Sequence, residues 1–316
     1  MFMTPGIRRA VVAAAIAILP AAGAEAQQLR FMTGPQGGVW VPIGGALKNI
    51  WEQNIPGLSI QTLPGAGVAN VRGVDEGRAE LGFGNSITTV DGLNGAEPFP
   101  RKVTRVCNLG NLYPQYFQVV TLADANIRRI EDLRGRSIAV QPRGNTAEVI
   151  TRHILQAAGM SYNDVRANFQ ASYTDAVGLM KDGHAVAFTL GTTIPASSVM
   201  DLASARAIRF VDLTPYGEAM KRINAGYSLS PIPANTYPQQ TEPVMQIVYS
   251  AHLIAACDQP EERIFRMVEL LFANLGALTP INRALEGLTP AAAAQDIGVP
   301  MHPGAARFYR SRGVAG

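Results

Sequence analysis

Glycine, serine, threonine and asparagine gather at four points of this chain, each between a short apolar run and a helical pattern: residues 29–51, 80–93, 137–158 and 185–203. The loops are Gly34-Pro35-Gln36-Gly37-Gly38-Val39-Trp40, then Gly84-Asn85-Ser86, then Gln141-Pro142-Arg143-Gly144-Asn145-Thr146, and last Thr192-Thr193. The start of a helix presents unpaired N–H groups and a partial positive charge. Such a turn holds an anion with its backbone alone. Four of them aimed at one cleft predict a binding site that needs no catalytic side chain.

Other chemistry is poorly represented. The first loop lacks G-x-G-x-x-G, and no Lys follows it in the P-loop position, which argues against a nucleotide. The four histidines, His153, His184, His252 and His302, form no H-E-x-x-H, and there is no G-x-S-x-G elbow. His153 falls on an apolar helical face and reads as a packed residue; His302, within Pro300-Met301-His302-Pro303-Gly304, reads as a turn or cap. No acid, base and nucleophile set stands out, so a non-enzyme is expected, although carboxylates that meet only in space keep an enzyme as an alternative. Cys107 and Cys257 have no C-x-x-C spacing and make no zinc site. They are either a disulfide or two buried thiols. No cofactor and no metal are expected.

The first 26 residues read as an export leader: Arg8 and Arg9, an apolar run from Ala10 to Leu19, Pro20, and a small-x-small cleavage site at Ala24-Glu25-Ala26. The apolar run is shorter than the roughly 20 residues a membrane span needs. Cleavage before Gln27 leaves 290 of the 316 residues and changes the formal charge from +3 to +2, through loss of Arg8, Arg9 and Glu25. The expected location is the periplasm. Basic residues are dispersed, with none of the clustering that a nucleic-acid surface requires.

The elements that must position the loops follow from periodicity. Ile43, Leu47, Ile50 and Trp51 recur at helical spacing after Pro42, and Leu58–Leu63 alternates as a strand. Gly65-Ala66-Gly67 leads into a short helix carrying Val68, Val71 and Val74. Residues 137–140 form a strand before the third loop, followed by a helix with Val149, Ile150, His153 and Ile154 on its apolar face. Pro195 opens a helix after the fourth loop. Val106–Leu122 and Val244–Ala256 are long extended stretches that suit two crossings between lobes. Asp258, Pro260 and Glu261 predict a capped helix with Ile264, Met267, Val268 and Leu271 buried. Strands alternating with helices predict an α/β fold with mainly parallel pairing. Ligands of such sheets sit at the carboxyl ends of strands.

Together these units resemble the TAXI family (TRAP-associated extracytoplasmic immunogenic proteins), solute-binding receptors of TRAP transporters. The resemblance runs from about Leu29 to Gly313. It is carried by Gly37-Gly38-Val39-Trp40-Val41-Pro42-Ile43-Gly44, residues 76–86, Glu131-Asp132-Leu133-Arg134-Gly135, residues 144–149 and Pro300-Met301-His302-Pro303-Gly304-Ala305. Val39-Trp40-Val41, Ile87 and Arg143-Gly144-Asn145 depart from the family's usual steps. The resemblance implies a type II periplasmic-binding-protein fold, a Venus flytrap of two α/β lobes with crossing hinge strands. One lobe would comprise residues 27–118 with 236–316, the other residues 119–235. It implies a monomer that delivers a small organic anion, an amino or carboxylic acid, to an ion-gradient-driven TRAP permease. A tricarboxylate- or ABC-type binding protein, or a periplasmic enzyme on the same fold, are the alternatives.

On this reading Gly37, Gly38 and Val39 offer backbone N–H groups from one lobe and Ser86 a hydroxyl. Gly144, Asn145 and Thr146 do the same from the other lobe, with Thr192 and Thr193 nearby. Trp40 is either a wall stacking on the solute or core beneath the loop, and Tyr113 divides likewise between pocket and packing. Arg143 is either a bidentate clamp on a carboxylate or an exposed loop residue.

Overall fold

A computed structural model describes residues 1–2, 27–224 and 226–314. Residues 3–26, on which the export leader was read, lie outside the described residues.

The first lobe opens β1 (Gln27–Met32), α1 (Trp40–Asn54), β2 (Leu58–Leu63), α2 (Gly67–Asp75), β3 (Leu81–Asn85), α3 (Ser86–Asn94). The long β4 (Val106–Leu122) then crosses to the second lobe. There β5 (Ser137–Val140), α4 (Thr146–Ala157), β6 (Arg166–Phe169), α5 (Tyr173–Lys181), β7 (Ala187–Thr192), α6 (Ser197–Ala205), β8 (Ile208–Phe210), α7 (Gly217–Ile223) and β9 (Ser228–Ile232) follow. A second long strand, β10 (Val244–Ala256), returns to the first lobe and α8 (Glu261–Ala273) packs behind it. Both crossing strands occupy the stretches read from the sequence.

Among the described residues all ten strands belong to one sheet, in the order β2-β1-β3-β10-β4-β7-β5-β6, with β8 on β4 and β9 on β10. The outer strands of each lobe pair in parallel, as β1 with β2 and β3, and β5 with β6 and β7. The expectation of mainly parallel pairing is corrected at the centre. β10 runs antiparallel to β3, β4 and β9, and β4 runs antiparallel to β7 and β8. The reason is topological: β4 leaves the first lobe and β10 comes back, so the two must run in opposite directions. Their ladder shifts register on either side of His252–Leu253, just beyond Pro114, which has no N–H to offer.

The first lobe's core lies between the sheet and the α1–α8 layer. Ile43, Leu47 and Trp51 of α1 are fully buried there with Phe31, Leu253 and Met267. Trp51 Nε1 donates to the Met267 carbonyl at 2.9 Å, so this large side chain buries no orphan donor. Each such aliphatic side chain is worth about 1.5–3 kcal/mol of burial. The second lobe is covered on both faces, by α4 and α7 on one and by α5 and α6 on the other. That is why its central strands read as unbroken apolar runs rather than alternations.

Polar groups also lock the sheet. His252, fully buried in β10, joins the Thr89 hydroxyl at 2.8 Å and Asn108 Oδ1 at 3.1 Å, and burial pushes its pKa down to about 3. Cys107 and Cys257 form a disulfide, with Cα atoms 5.1 Å apart, tying the base of β4 to the residue after β10. The open choice between bridge and free thiols thus resolves to the bridge.

Two helix starts differ from expectation. Asp258 does not cap α8; Pro260 holds the cap position, and the Asp258 carboxylate instead pairs with Arg105 at 2.7 Å. Pro195 does not open α6, which begins two residues later with Ala196 at its cap. His302 does cap the helix Pro303–Ser311, its Nδ1 accepting from the Gly304 N–H at 3.1 Å. His153 is half-buried with Nδ1 2.8 Å from the Tyr227 hydroxyl, and burial lowers its pKa to about 4. Among the described residues no helix is long and apolar enough to cross a membrane.

Candidate functional site

The lobes meet over a small chamber on the crossing strands. Its floor carries Gln115 of β4 and Tyr249 of β10. Its walls are helix starts. Val39 and Trp40 stand at the head of α1, Ala66 and Gly67 at the head of α2, and Asn85 at the head of α3. From the second lobe come Asn145 and Thr146 at the head of α4, Tyr173 opening α5, and Gly191 and Thr192 ending β7. α1, α2 and α3 begin with no side-chain cap, which leaves their first-turn N–H groups without a side-chain acceptor. Asn145 spends its Oδ1 on the Ala147 N–H at 2.8 Å. Five helix dipoles therefore point their positive ends at one small volume.

The chamber is narrow. Its free volume is about 20 Å³, room for about one water. Hydrogen bonds cross between the lobes: Asn85 Nδ2 donates to Thr146 Oγ1 at 2.7 Å, and the Ala69 N–H donates to the Gly144 carbonyl at 3.1 Å. Gln115 Nε2 holds Asn85 Oδ1 at 2.9 Å, so β4 orients the amide that reaches across. Glycine at position 67 is required by this closure, because a Cβ there would stand 1.8 Å from Thr146 Oγ1. Gly191 plays a similar part. Its carbonyl accepts from the Tyr173 hydroxyl at 2.9 Å, and a Cβ would meet the Tyr249 hydroxyl at 2.1 Å. A third contact between the lobes lies outside the chamber, where Asn224 Nδ2 donates to Asp91 Oδ1 at 2.9 Å.

Among the described residues no Lys, Arg, His, Asp or Glu lines the chamber. Burial raises the Tyr249 hydroxyl well above its ordinary pKa and pushes Tyr173 up to about 12, so both remain neutral O–H groups. Tyr249 is 3% exposed, and its hydroxyl lies against Gly191. Trp40 is wall and core at once: it lines the chamber, stacks on Phe83 with ring centroids 5.3 Å apart, and buries its Nε1 without a partner.

Of the residues read from the sequence, Gly38, Val39, Trp40, Asn145, Thr146 and Thr192 meet at the chamber. Gly37 and Thr193 line the adjoining outer opening of about 680 Å³, and Gly37 packs on Thr174 with φ +78°. Ser86 does not reach the chamber lining; its Oγ accepts from the Ser250 N–H at 3.3 Å and ties α3 to β10. Tyr113 is buried beside Trp40 and Asn282, with its hydroxyl unpaired. Arg143 and Gly144 line a different opening, of about 610 Å³, shared with Arg72, Glu97, Glu148 and Arg152. There the Arg143 guanidinium lies 5.6 Å from the centre of the Phe169 ring.

Sequence reasoning passed over Gln115, Tyr173, Tyr249 and the start of α2. The signal for α2 was present in Gly65-Ala66-Gly67, and that for Gln115 in a lone amide beside Pro114 within an apolar strand. Nothing local marks Tyr249. Of the four helix starts expected at the cleft, three arrive; the start of α6 faces the outer opening, and those of α2 and α5 complete the chamber.

A model of the NMT1-like family matches residues 31–313. Solved structures share the two-lobe fold of periplasmic binding proteins. One described as a periplasmic transporter has a TM-score of 0.52 at 14% identity, covering 92% of this chain and 93% of the other. A putative L-cystine ABC transporter protein from Listeria monocytogenes has a TM-score of 0.50 at 12% identity, covering 83% and 96%. A mutant of ArgBP from T. maritima likewise scores 0.50 at 12% identity, covering 82% and 93%. At these identities the likeness speaks for the fold.

Proposed function

The chain belongs to the NMT1-like family, and on that premise we propose that it is a periplasmic solute-binding protein that closes two lobes over a small organic anion. The observation that carries the reading is the convergence of five helix starts on one narrow chamber at the crossing strands. On this reading residues 27–118 with 236–316 are one jaw, residues 119–235 the other, and β4 and β10 the hinge. The solute is held by backbone N–H groups at Val39, Gly67 and Thr146, with Asn85, Gln115, Thr192 and Tyr249 adding polar side chains and Trp40 a wall; the Gly38 N–H is spent on the Pro35 carbonyl at 3.0 Å. Hydrogen bonds to a charged group are worth about 1.5–3 kcal/mol each. A micromolar complex needs about 8 kcal/mol, so a handful suffices after the ordering cost. On this reading the solute leaves unchanged.

Delivery to an ABC-type importer is the favoured partner reading, supported by the fold likeness to a protein described as an ABC transporter component. The motif resemblance to TAXI receptors favours a second reading, delivery to a TRAP permease. Uptake that needs ATP would support the first, and uptake that collapses with the ion gradient the second. Receptor function itself is tested by a thermal-shift screen of small carboxylates and sulfonates, followed by X-ray scattering with the best ligand. A ligand at 100 times its Kd adds about 2.7 kcal/mol of stability, and closure reduces the radius of gyration. No stabilisation by any anion, or an unchanged scattering profile at saturation, would contradict the reading.

A further inference from the structure

We infer that the solute carries a single negative charge and no ammonium group, so that the protein takes simple, oxo- or hydroxy-acids, or their sulfonate counterparts, and refuses amino acids. This rests on the receptor reading and narrows it. An α-amino acid brings a cation into the chamber along with its carboxylate. A buried cation needs a carboxylate or several free acceptors, since transfer from water costs several kcal/mol otherwise. Among the described residues the chamber lining has no carboxylate. Its two asparagine oxygens are already engaged, Asn85 Oδ1 by Gln115 and Asn145 Oδ1 by the Ala147 N–H. The acidic residues in the first turns of α4 and α5 are also engaged, Glu148 by Arg152 and Asp175 by Ser172. The amide oxygen left in the lining is Gln115 Oε1, since Gln115 Nε2 is spent on Asn85, and an ammonium group with three N–H donors outnumbers it. The Tyr249 hydroxyl, in a residue 3% exposed, also lines the chamber, whereas the Trp40 Nε1 faces Tyr113. Converging helix starts with a neutral hydroxyl among them describe a site for an acceptor with negative charge. Among the described residues the same lining has no Lys or Arg to neutralise a second anionic group, so a dianion is disfavoured with the zwitterion.

Matched pairs isolate the ammonium group: pyruvate and alanine, 4-methyl-2-oxopentanoate and leucine, phenylpyruvate and phenylalanine, ethanesulfonate and taurine. Each is titrated calorimetrically into the exported protein, with 2-oxoglutarate as the dianion control. In every pair that binds, the member without an amine should bind at least 100-fold more tightly, and the pairs that respond separate a carboxylate head from a sulfonate head. Thr192→Asp, which adds a carboxylate to the lining, should shrink that ratio at least tenfold. Amino acids or taurine binding within 100-fold of their partners would overturn the inference while leaving the receptor reading intact, as would 2-oxoglutarate as the tightest ligand. An unchanged ratio in Thr192→Asp would also count against it. Silence from every probe would overturn the inference and the receptor reading together.

Discussion

Two of the hollows between the lobes, the chamber and the charged opening, differ in kind. The opening beside α2 and α4 gathers Arg72, Arg143 and Arg152 with Glu97 and Glu148, and it is wide and exposed to water. The chamber on the crossing strands has no ionised side chain and is nearly filled by its own walls. A charge-rich opening looks like the natural place for an anion, yet its guanidinium groups are largely committed. Arg152 pairs with Glu148 at 3.1 Å, Arg72 bonds the Pro98 carbonyl, and Arg143 lies over Phe169. Water screens what charge is left. In the chamber, by contrast, partial charges on backbone N–H groups act at short range and in low dielectric. Affinity therefore tracks orientation and dryness, not the number of formal charges.

The largest expected effect comes from putting a charge where the chamber has none. Asn145→Asp keeps a competent cap on α4 but places a carboxylate against the bound anion. Titration should show affinity falling at least 100-fold, about 2.7 kcal/mol, with thermal stability nearly unchanged. Next comes closure. Gly67→Ala pushes a methyl group onto Thr146 Oγ1 across the jaws, so affinity should fall roughly tenfold to 100-fold, about 1.4–2.7 kcal/mol. X-ray scattering should then show the variant staying open at ligand concentrations that close the parent.

A smaller effect concerns the ionisable contact outside the chamber. Burial raises the Asp91 carboxyl from 3.8 to about 6, although Asn224 donates to it. The folded state then binds the proton more tightly than the unfolded state, so this group's contribution to stability falls as pH rises from about 4 to 6. Asp91→Asn should gain on the parent across that window and hold about 1 kcal/mol above it, solvent screening limiting the gain. Below about pH 4 the two proteins should melt alike, since every other titrating group cancels in the difference. The smallest effect is expected from Arg143→Ala, which should change affinity by less than about threefold. A loss of tenfold or more would relocate the anion to the charged opening.

The contrast between the hollows also marks how far the chain could be read without coordinates. The crossing strands were legible end to end, because a strand buried on both faces needs a long apolar run and few other patterns produce one. The α1 face was legible because Ile43, Leu47 and Trp51 repeat at helical spacing. Helix starts at Val39-Trp40 and Asn145-Thr146 were legible for the same local reason. Tyr249 and Gln115 were not, because they reach the chamber through the pairing of strands some 130 residues apart in the chain. Arg143 occupies a loop that does approach the cleft, but its side-chain direction is set by Phe169 on a neighbouring strand, which local pattern does not encode. The sheet's antiparallel centre escaped notice for a related reason: alternating strands and helices describe each lobe, not the traffic between them.

The central claim is that the solute sits in the uncharged chamber, gripped by helix starts. A crystal structure with the tightest-binding anion of the matched-pair panel tests it most directly. The account predicts the anionic head among the starts of α1, α2 and α4, accepting from main-chain N–H groups and the Tyr249 hydroxyl. An anionic head resting instead against Arg72, Arg143 or Arg152, with the chamber empty, would contradict it.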